Sequence, residues 1–280
     1  MKSKVVVITG ATSGIGEVAA QRLAAMGARI VLVARNPARG RKTLARLPSL
    51  GAGAAHTIHY GELSRIADCK RVAAEISAAE PRVDVLINNA GALFGSRRVT
   101  ADNLEETFAT NHMAYFVLTV GLQGSLRAAA SARVVCTASA AHKGHTLDFD
   151  DLQAAKSYSA IRAYGRSKLC NILFTRELAR RWSGTGMTAN CLHPGFVATR
   201  FGDASGGFLS TAVSAAKFFA ISPEKGAETI VYLASAPEVS GISGKYFYKC
   251  RPATPTAGGR DDTAADRLWA ESAKLAGLEP

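Results

Sequence analysis

Short runs of β-branched and aliphatic residues alternate along this chain with longer stretches whose apolar positions recur at helical spacing. Val5–Ile8, Ile30–Val33, His56–His59, Val83–Ile87, Arg133–Thr137, Thr188–Leu192 and Lys245–Tyr248 predict strands. Glu17–Met26, Pro37–Leu47, Ile66–Ala79, Glu105–Ala128, Ser157–Trp182 and Glu224–Ser235 predict the helices between them. Strict alternation of strand and helix implies right-handed crossovers, hence an α/β fold built on a doubly wound parallel sheet of about seven strands with helices on both faces. No internal repeat, linker or low-complexity tract interrupts the series, so one domain is expected over residues 1–280.

Composition narrows this picture. Apolar residues are 48% of the 280, enough to cover both faces of a buried parallel sheet. The five cysteines (Cys69, Cys136, Cys170, Cys191 and Cys250) are scattered, with no CxxC pair or histidine at ligand spacing, which argues against structural zinc and for a reducing compartment. No metal site is expected. No secretory leader and no run long enough to span a membrane is present, so the expected location is cytoplasmic. The net charge of +12 raises nucleic acid as a partner, but the positive residues are dispersed and read as solvated helix faces. No nucleic-acid partner is expected.

The chemistry begins at the first turn. Val5 to Gly16 is a strand running into Thr9-Gly10-Ala11-Thr12-Ser13-Gly14-Ile15-Gly16, a glycine-rich turn that opens a helix. Gly10 permits the tight bend, Gly14 lets main chain approach a phosphate, and Gly16 lets the helix pack close to the strand. The helix N-terminus would then face a pyrophosphate, with Gly10, Thr12, Ser13, Gly14, Ile15 and Gly16 around it. The spacing is GxxxGxG rather than GxGxxG. At the end of the second strand, where an acidic residue would read an adenosine ribose, the chain has Ala34-Arg35-Asn36. A neutral residue followed by a guanidinium favours the 2′-phosphate of NADP(H) over NAD(H), with Arg39 and Lys42 adding positive potential.

Taken with Asn88-Asn-Ala-Gly91, Tyr164-Gly-Arg-Ser-Lys168 and Pro194-Gly195, in that order, the turn resembles the short-chain dehydrogenases/reductases along nearly the whole chain. The stretch from Arg162 to Leu178, and the tail Gly244-Lys-Tyr-Phe-Tyr-Lys-Cys250 with Arg267-Leu-Trp269, is similar to the retinol dehydrogenase and WW-domain oxidoreductase branch. Protochlorophyllide reductases form a neighbouring branch. The resemblance implies a Rossmann-type dinucleotide-binding catalytic domain, with 200–222 as a substrate lid and 250–280 as a C-terminal extension. Dimers or tetramers through the long helices are common in such families, and a homodimer or homotetramer stays open here.

Tyr164 and Lys168 stand four residues apart, so both project from one face of a helix. A phenol titrates near pH 10, too high for acid/base work at neutral pH, and a nearby ammonium is expected to lower it. The resemblance makes Tyr164 the proton donor to a carbonyl oxygen and has Lys168 bind the nicotinamide ribose. It makes Ser139, at the end of a strand, the hydroxyl that steadies the developing alkoxide. Asn111 would hold a proton-relaying water. The long gap from Ser139 to Tyr164 requires an excursion over 142–160.

Other cofactor contacts follow from the same resemblance: Glu62 and Leu63 at the adenine, Asn89, Ala90 and Gly91 at the adenosine ribose, and Pro194, Gly195, Val197 and Thr199 at the carboxamide. Asn88 would brace the sheet. His142 and His145 lie near Ser139, but no GxSxG elbow or orienting acid supports a serine hydrolase. His193 reads as a packing residue. Between Arg200 and Pro223, Phe201, Phe208, Leu209, Phe218 and Phe219 are set among glycines, and with Leu93, Phe94, Phe149 and Phe196 they suggest an apolar cleft. The expected activity is NADP(H)-dependent interconversion of a carbonyl and an alcohol on an apolar small molecule. Reduction of a carbon–carbon double bond and a non-catalytic NADP(H) sensor are the alternatives.

Overall fold

The computed structural model describes residues 1–51, 55–197 and 221–279. Thr199 and residues 200–220 of the expected lid lie outside them. The strands are β1 (Val5–Thr9), β2 (Arg29–Ala34), β3 (Thr57–Tyr60), β4 (Val85–Asn88), β5 (Arg133–Thr137), β6 (Thr188–Leu192), β7 (Tyr246–Tyr248) and β8 (Arg251–Ala253). They form one eight-stranded sheet in the order β3-β2-β1-β4-β5-β6-β7-β8. All neighbours run parallel except β8, which returns antiparallel to β7. The sheet is thus α/β and doubly wound as expected, with one strand more than the periodicity predicted. β8 carries Pro252 and is three residues long, too short for alternation to announce it.

The order reverses between β1 and β4, which pair Val6 with Val85 and Ile8 with Ile87. Such a reversal opens a crevice at the carboxyl ends of the strands, the place where open α/β sheets take their ligands. Alternate residues supply two core layers: Val6, Ile8, Ile30 and Leu32 face one side, Val7, Val31 and Val33 the other.

On the first side lie α1 (Gly14–Ala25) and α8 (Pro223–Ser235), the latter capped by Ser222 Oγ. On the second lie α3 (Ile66–Ala79), α5 (Ala114–Gly121), α7 (Ala160–Arg181) and α9 (Asp262–Ala276). The short helix α2 (Pro37–Leu44) follows β2, with Asn36 Oδ1 accepting from the Arg39 N–H at its start.

The single helix expected over Glu105–Ala128 is broken. Glu105 caps a short α4 (Glu106–Phe108), residues Ala109–Met113 form a π-turn, α5 ends at Gly121, and α6 (Gln123–Arg127) completes the run. A π-turn admits one extra residue per turn, which hydrophobic spacing alone does not reveal. At Gly121 a Cβ would lie 2.7 Å from the Ala73 Cβ, so the close approach of α5 to α3 needs a glycine there.

Residues 143–159 hold no regular element, and side chains fix them: Arg166 Nη2 donates to the carbonyls of Asp148 and Asp151, and Arg97 Nε to that of Gln153.

The C-terminal extension is more than a tail. α9 starts at Asp261, whose carboxylate accepts from the Ala264 N–H, and ends at Gly277 in the left-handed region (φ 58°). Its Trp269 meets the Phe116 ring edge-on at 4.9 Å, stacks on Phe174 at 5.9 Å, and lies under the Arg181 guanidinium at 4.5 Å. Phe149, expected in the substrate cleft, instead packs at the edge of this layer beneath the guanidinium of Arg267, 4.4 Å from its ring centroid. Trp269→Ala is expected to lower the unfolding free energy by about 3–5 kcal/mol in urea denaturation. A loss below about 1 kcal/mol would show that α9 does not dock in this way.

Candidate functional site

The residues singled out in the sequence converge at the carboxyl ends of β1, β4, β5 and β6. The glycine turn is built by close contact. Gly10 (φ 68°) and Gly14 (φ 59°) are left-handed, and a Cβ on Gly10 would sit 2.7 Å from the Ala90 Cα. A Cβ on Gly16 would overlap both Asn89 Nδ2 (2.4 Å) and the Gly10 carbonyl oxygen (2.5 Å). Asn89 Nδ2 donates to the carbonyls of Thr9 and Gly10, and the N–H groups of Asn89 and Ala90 both donate to Thr9 Oγ1. Asn89 therefore stitches the end of β4 to the turn. Asn88 is fully buried and donates to Thr119 Oγ1, bracing the sheet against α5. Ser13 occupies the N-cap position of α1 but makes no side-chain cap bond, and Thr12, Ser13 and Ile15 are half-buried beside it.

At the end of β2, Ala34 is buried and Arg35 is 71% exposed. Arg35 Nη1 lies 3.4 Å from Glu62 Oε2, a loose exposed pair worth at most about 1 kcal/mol. Leu63 turns into the core. On the far side of the crevice, Gly195 (φ 93°) follows Pro194 and donates its N–H to His193 Nδ1 at 3.2 Å. Val197 bridges to Ile221, and a Cβ on Gly226 of α8 would meet both Ile15 and Val197 within 2.8 Å. Phe196 is 53% exposed at this rim, whereas Leu93 and Phe94 are buried.

Tyr164, Ser167, Lys168 and Asn171 sit on the face of α7 turned to β5. The Ser139 hydroxyl is in hydrogen-bond contact with the half-buried Tyr164 phenol. Ser139 Oγ also accepts from the Ala141 N–H, opening a 3-10 turn over Ala140–His142. That turn presses on α7: a Cβ on Gly165 would lie 2.6 Å from the Ala141 carbonyl oxygen and 2.3 Å from the His145 ring. Lys168 is 2% exposed, donates from Nζ to the Thr137 carbonyl at 3.0 Å, and lies 5.7 Å and 5.8 Å from the ring centroids of Tyr164 and Tyr115. Gly91 covers the ammonium, its missing Cβ only 3.3 Å away.

Asn111, in the π-turn, accepts at Oδ1 from the Ala92 N–H and donates from Nδ2 to the Ala92 carbonyl and Ser167 Oγ. Its amide thus holds the loop after β4 to α7.

The electrostatics reverse one expectation. The Tyr164 phenol is pushed up to about 12 by burial, against a smaller lowering from the Ser139 hydroxyl. It is not drawn down by the lysine, because burial drives Lys168 itself down to about 7. In the protein alone the pair is held closer to its uncharged forms.

Five contributors escaped the sequence reading: Thr9, Tyr115, Thr137, Ser167 and Asn171. Tyr115 donates its hydroxyl to the Ala90 carbonyl, and Asn171 Nδ2 donates to Thr137 O. The signal for two of them was available, since Tyr164, Ser167 and Asn171 make an i, i+3, i+7 polar stripe on an otherwise apolar helix face.

Residues 4–206 match the short chain dehydrogenase family. The chain belongs to that family. This member is 38% identical to human retinol dehydrogenase 14, over 99% of this chain and 88% of that protein. Its fold superposes on an uncharacterized protein of Mycobacterium paratuberculosis with a TM-score of 0.79 at 30% identity, covering 99% and 95% of the two chains. The RhlG/NADP active-site complex of Pseudomonas aeruginosa gives 0.69 at 26% identity over 88% and 94%. As a short-chain dehydrogenase the protein is an oxidoreductase of CH–OH and C=O groups that uses a nicotinamide cofactor. The glycine cradle, which any Cβ at Gly10 or Gly16 would fill, fits such a dinucleotide.

The depressed lysine has a signature in stability. An unfolded lysine keeps its proton to about 10.5, whereas folded Lys168 releases it near 7. Between those values the unfolded chain binds more protons, so this group makes stability rise with pH. Melting temperatures of the cofactor-free protein from pH 6.5 to 8, below the range where the buried thiols, held protonated by burial, begin to oppose it, should show that rise, and Lys168→Met should flatten it. Parallel curves for the two proteins would mean that Lys168 carries no such depression.

Proposed function

We propose that this dehydrogenase interconverts a carbonyl and an alcohol on an apolar small molecule with NADP(H), with Tyr164 as the general acid/base. The observation that carries the reading is the contact of the Ser139 and Tyr164 hydroxyls beside buried Lys168, at the crevice opened by the β1/β4 reversal. When bound, the nicotinamide supplies or takes up hydride. In the reducing direction Tyr164 gives its proton to the substrate oxygen; a phenol held near 12 carries that proton but holds it more tightly than a free phenol does, so its release depends on the negative charge developing on that oxygen. Ser139 donates a hydrogen bond to the same oxygen as negative charge develops on it. Lys168 holds the ribose hydroxyls and stabilises negative charge on the phenol as the proton leaves. Asn111 keeps the loop carrying Gly91 and Ala92 against α7, and so keeps Lys168 covered.

Gly10, Thr12, Ser13, Gly14, Ile15 and Gly16 take the pyrophosphate; Glu62 takes the adenine end with the main chain of Leu63, whose side chain lies in the core; Asn89, Ala90 and Gly91 take the ribose; Pro194, Gly195, Val197 and Thr199 take the carboxamide. Arg35 with Asn36 takes the 2′-phosphate. The exposed Arg35–Glu62 pair gives way readily to a doubly charged phosphate, and the neighbouring complex with NADP is consistent with this choice. An apolar substrate is supported by the name of retinol dehydrogenase 14, whose substrate is an apolar alcohol, and by Phe196 at the rim.

Tyr164→Phe should retain NADPH binding while turnover on a carbonyl substrate falls by about three orders of magnitude or more. Near wild-type turnover in that variant would remove Tyr164 from its role. For cofactor choice, binding titrations should favour NADPH over NADH by at least about tenfold, since a charged hydrogen bond is worth about 1.5–3 kcal/mol. Ala34→Asp should shift the preference toward NADH. Equal affinities in the wild type would take Arg35 out of the assignment.

A further inference from the structure

Ser139 lies two residues beyond β5, on a turn with no regular element behind it, yet its hydroxyl must be aimed to within a fraction of an ångström to serve the substrate oxygen. The side chain that holds this turn is His142. Its ring is fully buried. Nδ1 lies 2.7 Å from the Ser139 carbonyl oxygen, and Nε2 lies 3.4 Å from the main-chain nitrogen of Thr256, 114 residues further along. An N–H can only donate, so Nε2 is the acceptor and the proton sits on Nδ1, directed at the Ser139 carbonyl. The His142 N–H adds a second bond to that carbonyl at 3.2 Å. Both ring nitrogens are thus committed to main chain, one on the serine and one on the C-terminal strap that follows β8.

The ring plane is fixed as well. Tyr246 of β7 meets His142 edge-on at 5.3 Å and stacks on His193 at 5.8 Å, and His193 stacks on Tyr248 at 4.0 Å. His193 accepts the N–H of Gly195, so the aromatic row links the serine turn to the opposite lip of the crevice. A histidine that only filled space would need neither the fixed tautomer nor partners on two distant segments.

We propose that His142 is a positioning residue for the Ser139 hydroxyl, held in register by the C-terminal strap at Thr256. The inference rests on the assignment of Ser139 as the hydroxyl that steadies the substrate oxygen. Removing the ring nitrogens lets the turn shift, and the loss is felt in turnover rather than in cofactor binding. Asparagine can place its Nδ2 where the histidine has Nδ1 and so keep the bond to Ser139, whereas glutamine reaches the Nε2 position and does not.

The experiment is a double-mutant cycle on the full chain, reading kcat, KM and NADPH dissociation constant. His142→Phe should lower kcat by about tenfold with NADPH affinity unchanged, His142→Asn should stay within about threefold of wild type, and His142→Gln should behave like the phenylalanine variant. In a Ser139→Ala background, His142→Phe should cost nothing further. An equal loss in both backgrounds, or wild-type kcat in His142→Phe while Ser139→Ala is impaired, overturns the inference and leaves the functional reading standing. Unimpaired turnover in Ser139→Ala overturns the functional reading itself. If the phenylalanine variant does not fold, as judged by lost NADPH binding, the asparagine–glutamine pair decides: equal kcat in the two refutes the positioning role.

Discussion

The carbonyl of Thr137, the last residue of β5, gathers the site around it. It accepts hydrogen bonds from Lys168 Nζ at 3.0 Å and Asn171 Nδ2 at 3.2 Å, both on α7. A buried amine without a partner would be costly, so these two bonds dictate the rotation of α7 about its axis. Tyr164, one turn earlier on the same face, is thereby aimed at Ser139, two residues past the same carbonyl. Thr137 Oγ1 continues the line to Asn89 Oδ1 at 3.3 Å, and Asn89 Nδ2 continues it to Thr9 and Gly10. The glycine turn and the tyrosine–lysine pair therefore belong to one bonded set, fixed by the ends of three adjacent strands.

Lys168 is buried and Tyr164 half-buried, and the loss of water around them decides the charge of the pair. Burial raises the phenol and depresses the ammonium, so the pair alone favours a protonated tyrosine and a lysine that titrates near neutrality. A phenol in this state carries the proton that a carbonyl oxygen takes up on reduction, but holds it more tightly than a free phenol does. Proton removal from an alcohol demands the opposite state, and in the isolated chain only alkaline conditions supply it. On the proposed acid/base role of Tyr164, desolvation rather than pairing of opposite charges would set how the two directions of the reaction respond to pH.

Much of this was legible in the residues. The β-branched runs gave β1, β2, β4 and β5 to within two residues, because a strand buried on both faces has to be continuously apolar. The turn from Thr9 to Gly16 was legible because its glycines answer to steric contacts that no other residue satisfies. The π-turn at Ala109–Met113 was not, since an extra residue in a helix leaves no mark on apolar spacing. The direction of the Tyr164 shift was missed for a different reason: sequence supplies the charged neighbour, but burial, which outweighs it, exists only in the packed molecule. Arg35 and Glu62 were each assigned to the cofactor, and their contact with each other depends on how β2 and the loop after β3 meet in space.

The C-terminal segment shows how a region can look like an appendage and act as a wall. Ala265, Leu268, Trp269, Ser272 and Ala273 recur at helical spacing, a pattern present in the sequence but passed over as a tail. In the fold this segment meets the site from behind at two places, each through a buried histidine. His112, next to Asn111, lies 2.8 Å from Ser272 Oγ, and because that hydroxyl donates to the Leu268 carbonyl, His112 Nε2 must be the donor. His142, three residues after Ser139, accepts from Thr256. Burial lowers the proton affinity of both rings, so each is neutral and keeps a fixed tautomer. A neutral imidazole bonded on a buried face couples two segments without placing a charge near the Tyr164–Lys168 pair. A lysine or arginine at either position would add a cation close to a site whose protonation is set by the scarcity of charge, which is a physical reason for these links to be made by histidine.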